Sequence, residues 1–108
     1  MTIGMRLKQH DTAPALRATV TDADTGMPVD FTPATGVKVI GKRNGVAVFS
    51  RAATTKTNLG VVTMLWQVGD TATAGLISIE IETTWPDGTV QTFPPAGYLQ
   101  VLVTPDLG

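Results

Sequence analysis

The chain contains no cysteine. Disulfides, thiol nucleophiles and thiolate metal sites are therefore excluded. It has a single histidine, His10, too few for a histidine-rich metal centre. No apolar run is long enough to cross a bilayer as a helix. The opening M-T-I-G-M-R-L-K-Q-H lacks the apolar stretch of a secretory signal peptide. Glycine-rich phosphate loops and glycosylation sequons are also missing. With a formal net charge of -1, the chain has no excess of positive charge to attract nucleic acid.

Two further absences concern charge along the chain. Residues 31–69 carry five basic side chains (Lys38, Lys42, Arg43, Arg51, Lys56) and no acid. Residues 70–108 carry five acids (Asp70, Glu80, Glu82, Asp87, Asp106) and no base. This segregation fits either cross-strand pairing within one sheet or a dipolar surface that docks head to tail. Pairing is the simpler reading.

What is present is a β pattern. The 108 residues are 43% hydrophobic, enough for one folded domain spanning residues 1–108. The clearest strand begins at Gly75. Ile77, Ile79 and Ile81 fall on one face, in phase with Thr83 and Trp85, while Ser78, Glu80, Glu82 and Thr84 fall on the other. Such alternation predicts one buried and one wet face. Pro86-Asp87-Gly88 then makes a turn.

Further strands are predicted at residues 3–8, 16–21, 37–43, 46–52, 61–66, 90–93 and 98–103. Asn44-Gly45 is the strongest hairpin signal. Residues 22–30 read as a turn-rich link and residues 53–60 as a loop. The stretch 61–66 is apolar on both faces, which predicts a covered outer face. No helical period extends over ten residues. The expected fold is all-β, an immunoglobulin-like antiparallel sandwich of about seven to eight strands. In it, Lys38 and Lys42 would stand beside Glu80 and Glu82 on the wet face.

Few residues invite a chemical reading. His10-Asp11 lacks a nucleophile, and neighbouring strand residues point to opposite faces, so it reads as a loop pair. Glu80 and Glu82 lie ~7 Å apart, within reach of a glycosidase arrangement, but on a solvated face. Asp22, Asp24 and Asp30 around Gly26 miss the spacing of an EF-hand loop. A polar turn is the simpler reading there, a weak calcium site the alternative. Trp85 is in phase with the core; Trp66 reads either as core or as an exposed platform. No catalytic residue, metal or cofactor is expected.

Four pieces in order carry a family resemblance: Asp11, Thr12 and Pro14 as D-T-x-P; residues 22–34; Trp66 with Asp70, Thr71 and Gly75 as W-x-x-x-D-T-x-x-x-G; and Pro86, Asp87, Gly88, Phe93 and Pro94 as P-D-G followed by T-F-P. Together they resemble the N-terminal immunoglobulin-like domain of the baseplate upper protein of tailed bacteriophages. The resemblance implies a non-catalytic virion protein, assembled in the host cytoplasm in many symmetric copies. Its partners would be other capsid, tail or baseplate proteins, with no nucleic acid or membrane involved. Members of that family usually continue into further segments. The chain ending at Gly108 is expected to act as a stand-alone module, such as a capsid decoration. Contacts would come from loops and sheet edges, which singles out His10, Asp11, Thr12, Pro14, Asp70, Thr71, Phe93, Pro94, Pro95 and Tyr98. A carbohydrate- or cell-surface-binding module, using Trp66 or Tyr98, is the alternative.

Overall fold

Alternation along the chain is realised as nine strands in the computed structural model. It describes residues 2–22, 24–93 and 99–105, with the backbone alone at 2–4 and 99. The strands are β1 (Thr2–Lys8), β2 (Leu16–Thr19), β3 (Gly36–Arg43), β4 (Val46–Ala52), β5 (Thr55–Lys56), β6 (Val61–Met64), β7 (Gly75–Thr84), β8 (Val90–Phe93) and β9 (Leu99–Thr104). A 3-10 turn at Val68–Thr71 leads into β7. No α-helix occurs among the described residues. The extra strand, β5, lies in the expected loop. At two residues it is too short to show alternation, and it exists by pairing Thr55 with Thr63 and Lys56 with Val62.

The strands form two sheets. The larger has the order β1-β9-β7-β3-β4, with β8 also on β7; the smaller is β2-β6-β5. The fold is thus all-β with a sandwich-like division of strands. Pairing is antiparallel except between β1 and β9, which run parallel. The expectation of purely antiparallel sheets is corrected there. Side-chain alternation reports which face is buried, not the direction of a neighbour. A parallel pair only needs a long connection, and nearly the whole chain separates these two strands.

Turn chemistry fixes the hairpins. Asn44 and Gly45 both have positive φ (53° and 80°), as a two-residue type I′ connection requires. After β7, the Gly88 N–H donates to the Trp85 carbonyl (2.9 Å) and Gly88 takes φ 87°. Pro86-Asp87-Gly88 is therefore a three-residue turn with glycine in the left-handed position. β8 and β9 pair with the same edge of β7. Ile81 opposes Phe93 and Ser78 opposes Gln100. Three residue steps on β7 thus correspond to seven in sequence between the partners on the other side.

The core lies between the sheets. Val37, Val39, Ile77, Ile79, Ile81, Val101 and Val103 face Leu16, Ala18, Val20, Val62 and Met64, with Phe31, Phe49 and Trp66 also buried. Burying each large apolar side chain contributes ~1.5–3 kcal/mol. Two sequence expectations need correction. Trp85 is half-buried rather than central: β7 ends at Thr84, so the indole sits at the end of the core, stacked on Phe31 with ring centroids 6.5 Å apart. The outer face of residues 61–66 is not covered throughout. β6 stops at Met64 and Leu65 is 58% exposed.

The charge pattern resolves as pairing. Lys38 opposes Glu82, and Lys42 Nζ lies 3.1 Å from Glu80 Oε1 on the outer face. Gly60 shows how tightly the smaller sheet abuts its link. It has φ 77°, and a Cβ there would run into the Val20 carbonyl oxygen. Gly60→Ala is expected to cost about 2 kcal/mol or more through left-handed strain and backbone displacement. A urea titration would show it as a lower midpoint with an unchanged slope.

Candidate docking surface

Two connecting segments meet at one pole of the sandwich. The turn after β1 is closed by the Asp11 N–H donating to the Lys8 carbonyl (3.1 Å) and by the Lys8 N–H donating to Asp11 Oδ2 (3.1 Å). It places His10 at φ 71°, which is uncommon for a residue with a Cβ. The His10 N–H donates to the Thr71 carbonyl (3.0 Å). The Thr71 hydroxyl returns a bond to the Asp11 carbonyl (2.8 Å) across 60 residues of sequence. Gln9 Nε2 donates to the Ala72 carbonyl (2.9 Å). Thr71 is fully buried, so its hydroxyl would be costly to leave unpaired.

The 3-10 turn is anchored in its own right. The Gln67 N–H donates to Asp70 Oδ2 (2.8 Å). Arg51 forks onto the same carboxylate, with Nη2 3.0 Å from Oδ1 and Nη1 bonded to Oδ2. Asp70 raises the Arg51 pKa above its ordinary value by accepting these bonds. Arg43, at the end of β3, donates to the carbonyls of Thr73 and Ala74 (3.0 and 2.9 Å). Two arginines of β3 and β4 thus hold the segment between β6 and β7. Neither was singled out from sequence. The available sign was that Arg51 is two residues from Phe49, on the core-facing side of β4.

His10, Asp11, Asp70 and Thr71 are therefore brought together, while Thr12 and Pro14 are exposed on the same loop. The surface beside them is apolar: Val68 is 65% exposed, and exposed Leu65 follows Met64, which pairs with Leu16. Phe93 does not belong to this pole. It opposes Ile81, six residues or ~20 Å up β7 from Gly75. Pro94, Pro95 and Tyr98 lie outside the described residues.

At the opposite pole a cleft of about 260 Å³ is lined by Asp22, Met27, Asp30, Trp85, Gln91 and Phe93, among others. Trp85 Nε1 donates to Gln91 Oε1 (3.1 Å). Asp22 Oδ1 accepts the N–H groups of Asp24 and Thr25 (2.8 and 3.3 Å). Asp30 Oδ1 accepts the N–H and hydroxyl of Thr32 (2.9 and 2.6 Å). These bonds hold the Asp30 carboxyl below its ordinary pKa of 3.8, with Lys56 adding a smaller effect of the same sign. Lys56 itself donates to the carbonyls of Phe31, Thr32 and Ala34 (2.9, 3.3 and 2.7 Å). The described residues contain no group of three or more metal-ligating side chains. Asp22 and Asp30 each brace a turn.

Trp66 is buried at 5% exposure and packs edge-on against Phe49, so it offers no platform. Glu80 and Glu82 lie on the outer sheet face, and Glu80 is committed to Lys42. No family model, curated protein or solved structure matches this chain.

Asp70→Asn is expected to destabilise the protein by ~1–3 kcal/mol, because it leaves a partly buried guanidinium short of its counter-charge. Amide chemical-shift changes should extend through residues 9–12, whereas a local defect would stop at the 3-10 turn. Thr89 holds Asp87 below its ordinary pKa as Thr32 holds Asp30, through its hydroxyl and N–H (2.6 and 3.0 Å). A depressed carboxyl pKa adds stability above the unfolded value, and that stability is lost as pH falls through the folded one. Both turns should therefore loosen only below pH 3.8. An NMR titration should place both midpoints below that value, and Thr89→Val should move the Asp87 midpoint upward.

Proposed function

We propose that this chain is a non-catalytic structural module of a tailed-bacteriophage virion. On this reading it is an immunoglobulin-like sandwich that docks on other virion proteins, as a capsid decoration or minor capsid protein or as a tail or baseplate component. The observation that carries the reading is the joining of two motif segments. Asp11, Thr12 and Pro14 of the first motif, and Asp70 and Thr71 of the third, lie about 60 residues apart yet share one hydrogen-bonded pole. Buried Thr71 and the Asp70 side chain brace the loop, and exposed Asp11, Thr12 and Pro14 are what it presents; residues presented on loops point to contact rather than packing.

Strand order adds support for the immunoglobulin-like part. In such a sandwich the second, fifth and fourth strands share a sheet opposite the third, sixth and seventh. Here β2, β6 and β5 take the first set and β3, β7 and β9 the second, with β4 flanking β3. The pole is also suited to contact. Its loop is fixed before binding, which lowers the ordering cost. Covering Leu65 and Val68 would contribute on the order of 2 kcal/mol each.

The second reading, a carbohydrate- or cell-surface-binding module, loses Trp66. Its other residue, Tyr98, lies outside the described residues, and the opposite cleft offers different rings, Trp85 and Phe93, beside Asp22, Asp30 and Gln91. One experiment separates the two. Purified protein is added to virions stripped of it, and heads and tails are then separated and analysed by mass spectrometry. Rebinding to one fraction, weakened about tenfold or more by Val68→Glu at unchanged thermal stability, is the expected result. Failure to rebind either fraction, together with glycan-array binding that Trp85→Ala abolishes, would establish the second reading instead.

A further inference from the structure

β4 is an outer strand of the larger sheet, and its free edge is open in a way the other edges are not. The Ala53 N–H donates to the Val37 carbonyl (2.8 Å), which sets the hydrogen-bonding phase of the β3–β4 pair. With Lys38 opposite Ala52 and Val39 opposite Arg51, the odd residues of β3 are the bonded partners. The N–H and C=O groups of Ser50 and Ala52 therefore point away from β3, and no backbone bond is found for them among the described residues.

Sheet edges are usually guarded by charge, proline or shortness. β1 carries exposed Arg6 and Lys8, and β2 is four residues long with exposed Arg17. β5 has two residues and β8 four. β4 has seven residues, V-A-V-F-S-R-A, with no proline, lysine or acid. Its one charge, Arg51, is turned back onto Asp70. The register shift beside Gly41 and Lys42 distorts only the Ala47–Val48 end. Val46 and Val48 remain 66% and 46% exposed.

We propose that the β4 edge pairs antiparallel with β4 of a second copy of this chain, about a two-fold axis at Ser50. The open groups are alternate backbone donors and acceptors, so the occupant is a strand. β4 complements itself. With Ser50 opposite Ser50, Ala52 of each copy falls opposite the bulged Val48 of the other, all small and uncharged side chains. The like charges nearest the seam are the two Arg51 guanidiniums, each held by its own Asp70; Lys38 and Lys42 of β3 would be three strand spacings apart, ~14 Å. That exceeds the screening length of ~8 Å at physiological salt. The pairing joins two larger sheets into one. It does not depend on the virion reading, since it is measured on the purified protein alone.

The chain's lack of cysteine makes the test direct. In an antiparallel bonded pair the Cα atoms of facing residues lie ~5.5 Å apart, within disulfide range. Ser50→Cys should cross-link to a covalent dimer on oxidation, whereas Asn58→Cys, on an exposed turn, should not. Light scattering should give a dimer mass that rises with concentration. Val48→Lys and Ser50→Pro should each abolish that mass while the circular dichroism spectrum is kept. If Ser50→Pro fails to fold, Val48→Lys decides. A protein that stays monomeric at millimolar concentration, or a dimer in which Ser50→Cys cross-links no better than Asn58→Cys, overturns the proposal.

Discussion

The larger sheet depends on β7 being paired along both edges. β3 covers one edge over seven residues, and β9 and β8 share the other. Because side chains alternate with a period of two, the register of β7 decides which face is buried. Slipping it by one residue would expose Ile77, Ile79 and Ile81 and drive Glu80 and Glu82 inward. The three isoleucines alone account for ~5–9 kcal/mol of burial at ~1.5–3 kcal/mol each. The Lys42–Glu80 pair, like other exposed pairs, contributes ~0–1 kcal/mol. Apolar alternation therefore sets the register, and the charges on the outer face follow it.

Arg51 and Asp70 matter differently. Their carboxylate–guanidinium fork ties an edge strand to the 3-10 turn, with the Asp70 side chain only 7% accessible. Such a pair adds little over a well-packed apolar substitute but is expensive to break from one side. Its value here is positional. Arg51 fixes Asp70 and so the 3-10 turn; that turn ends at Thr71, and Thr71 holds the loop bearing His10 and Asp11. A surface that docks through loops needs such bracing, because mobile loops lose entropy on contact.

This bracing gives the module two unlike poles. One is a locked loop surface beside exposed Leu65 and Val68. The other is a cleft where aromatic rings stand among carboxylates that hold their own turns. Between them runs the β4 edge.

The fold class and the eight longer strands were legible in the sequence, because burial on one face of a sheet writes itself as alternation and tight turns demand particular residues. Ile77, Ile79 and Ile81 announced β7, Asn44-Gly45 announced the hairpin after β3, and Lys38 and Lys42 were correctly set beside Glu80 and Glu82. The candidate pole was legible only in pieces: His10, Asp11, Asp70 and Thr71 stood out, but not that they meet. Arg51 and Arg43 were missed because a charged residue on a strand carries no mark of the partner it will find across the fold. The parallel pairing of β1 with β9, the half-burial of Trp85 and the burial of Trp66 were likewise decided by tertiary structure. Local sequence fixes which way a side chain faces, and only the assembled sheets fix what it faces.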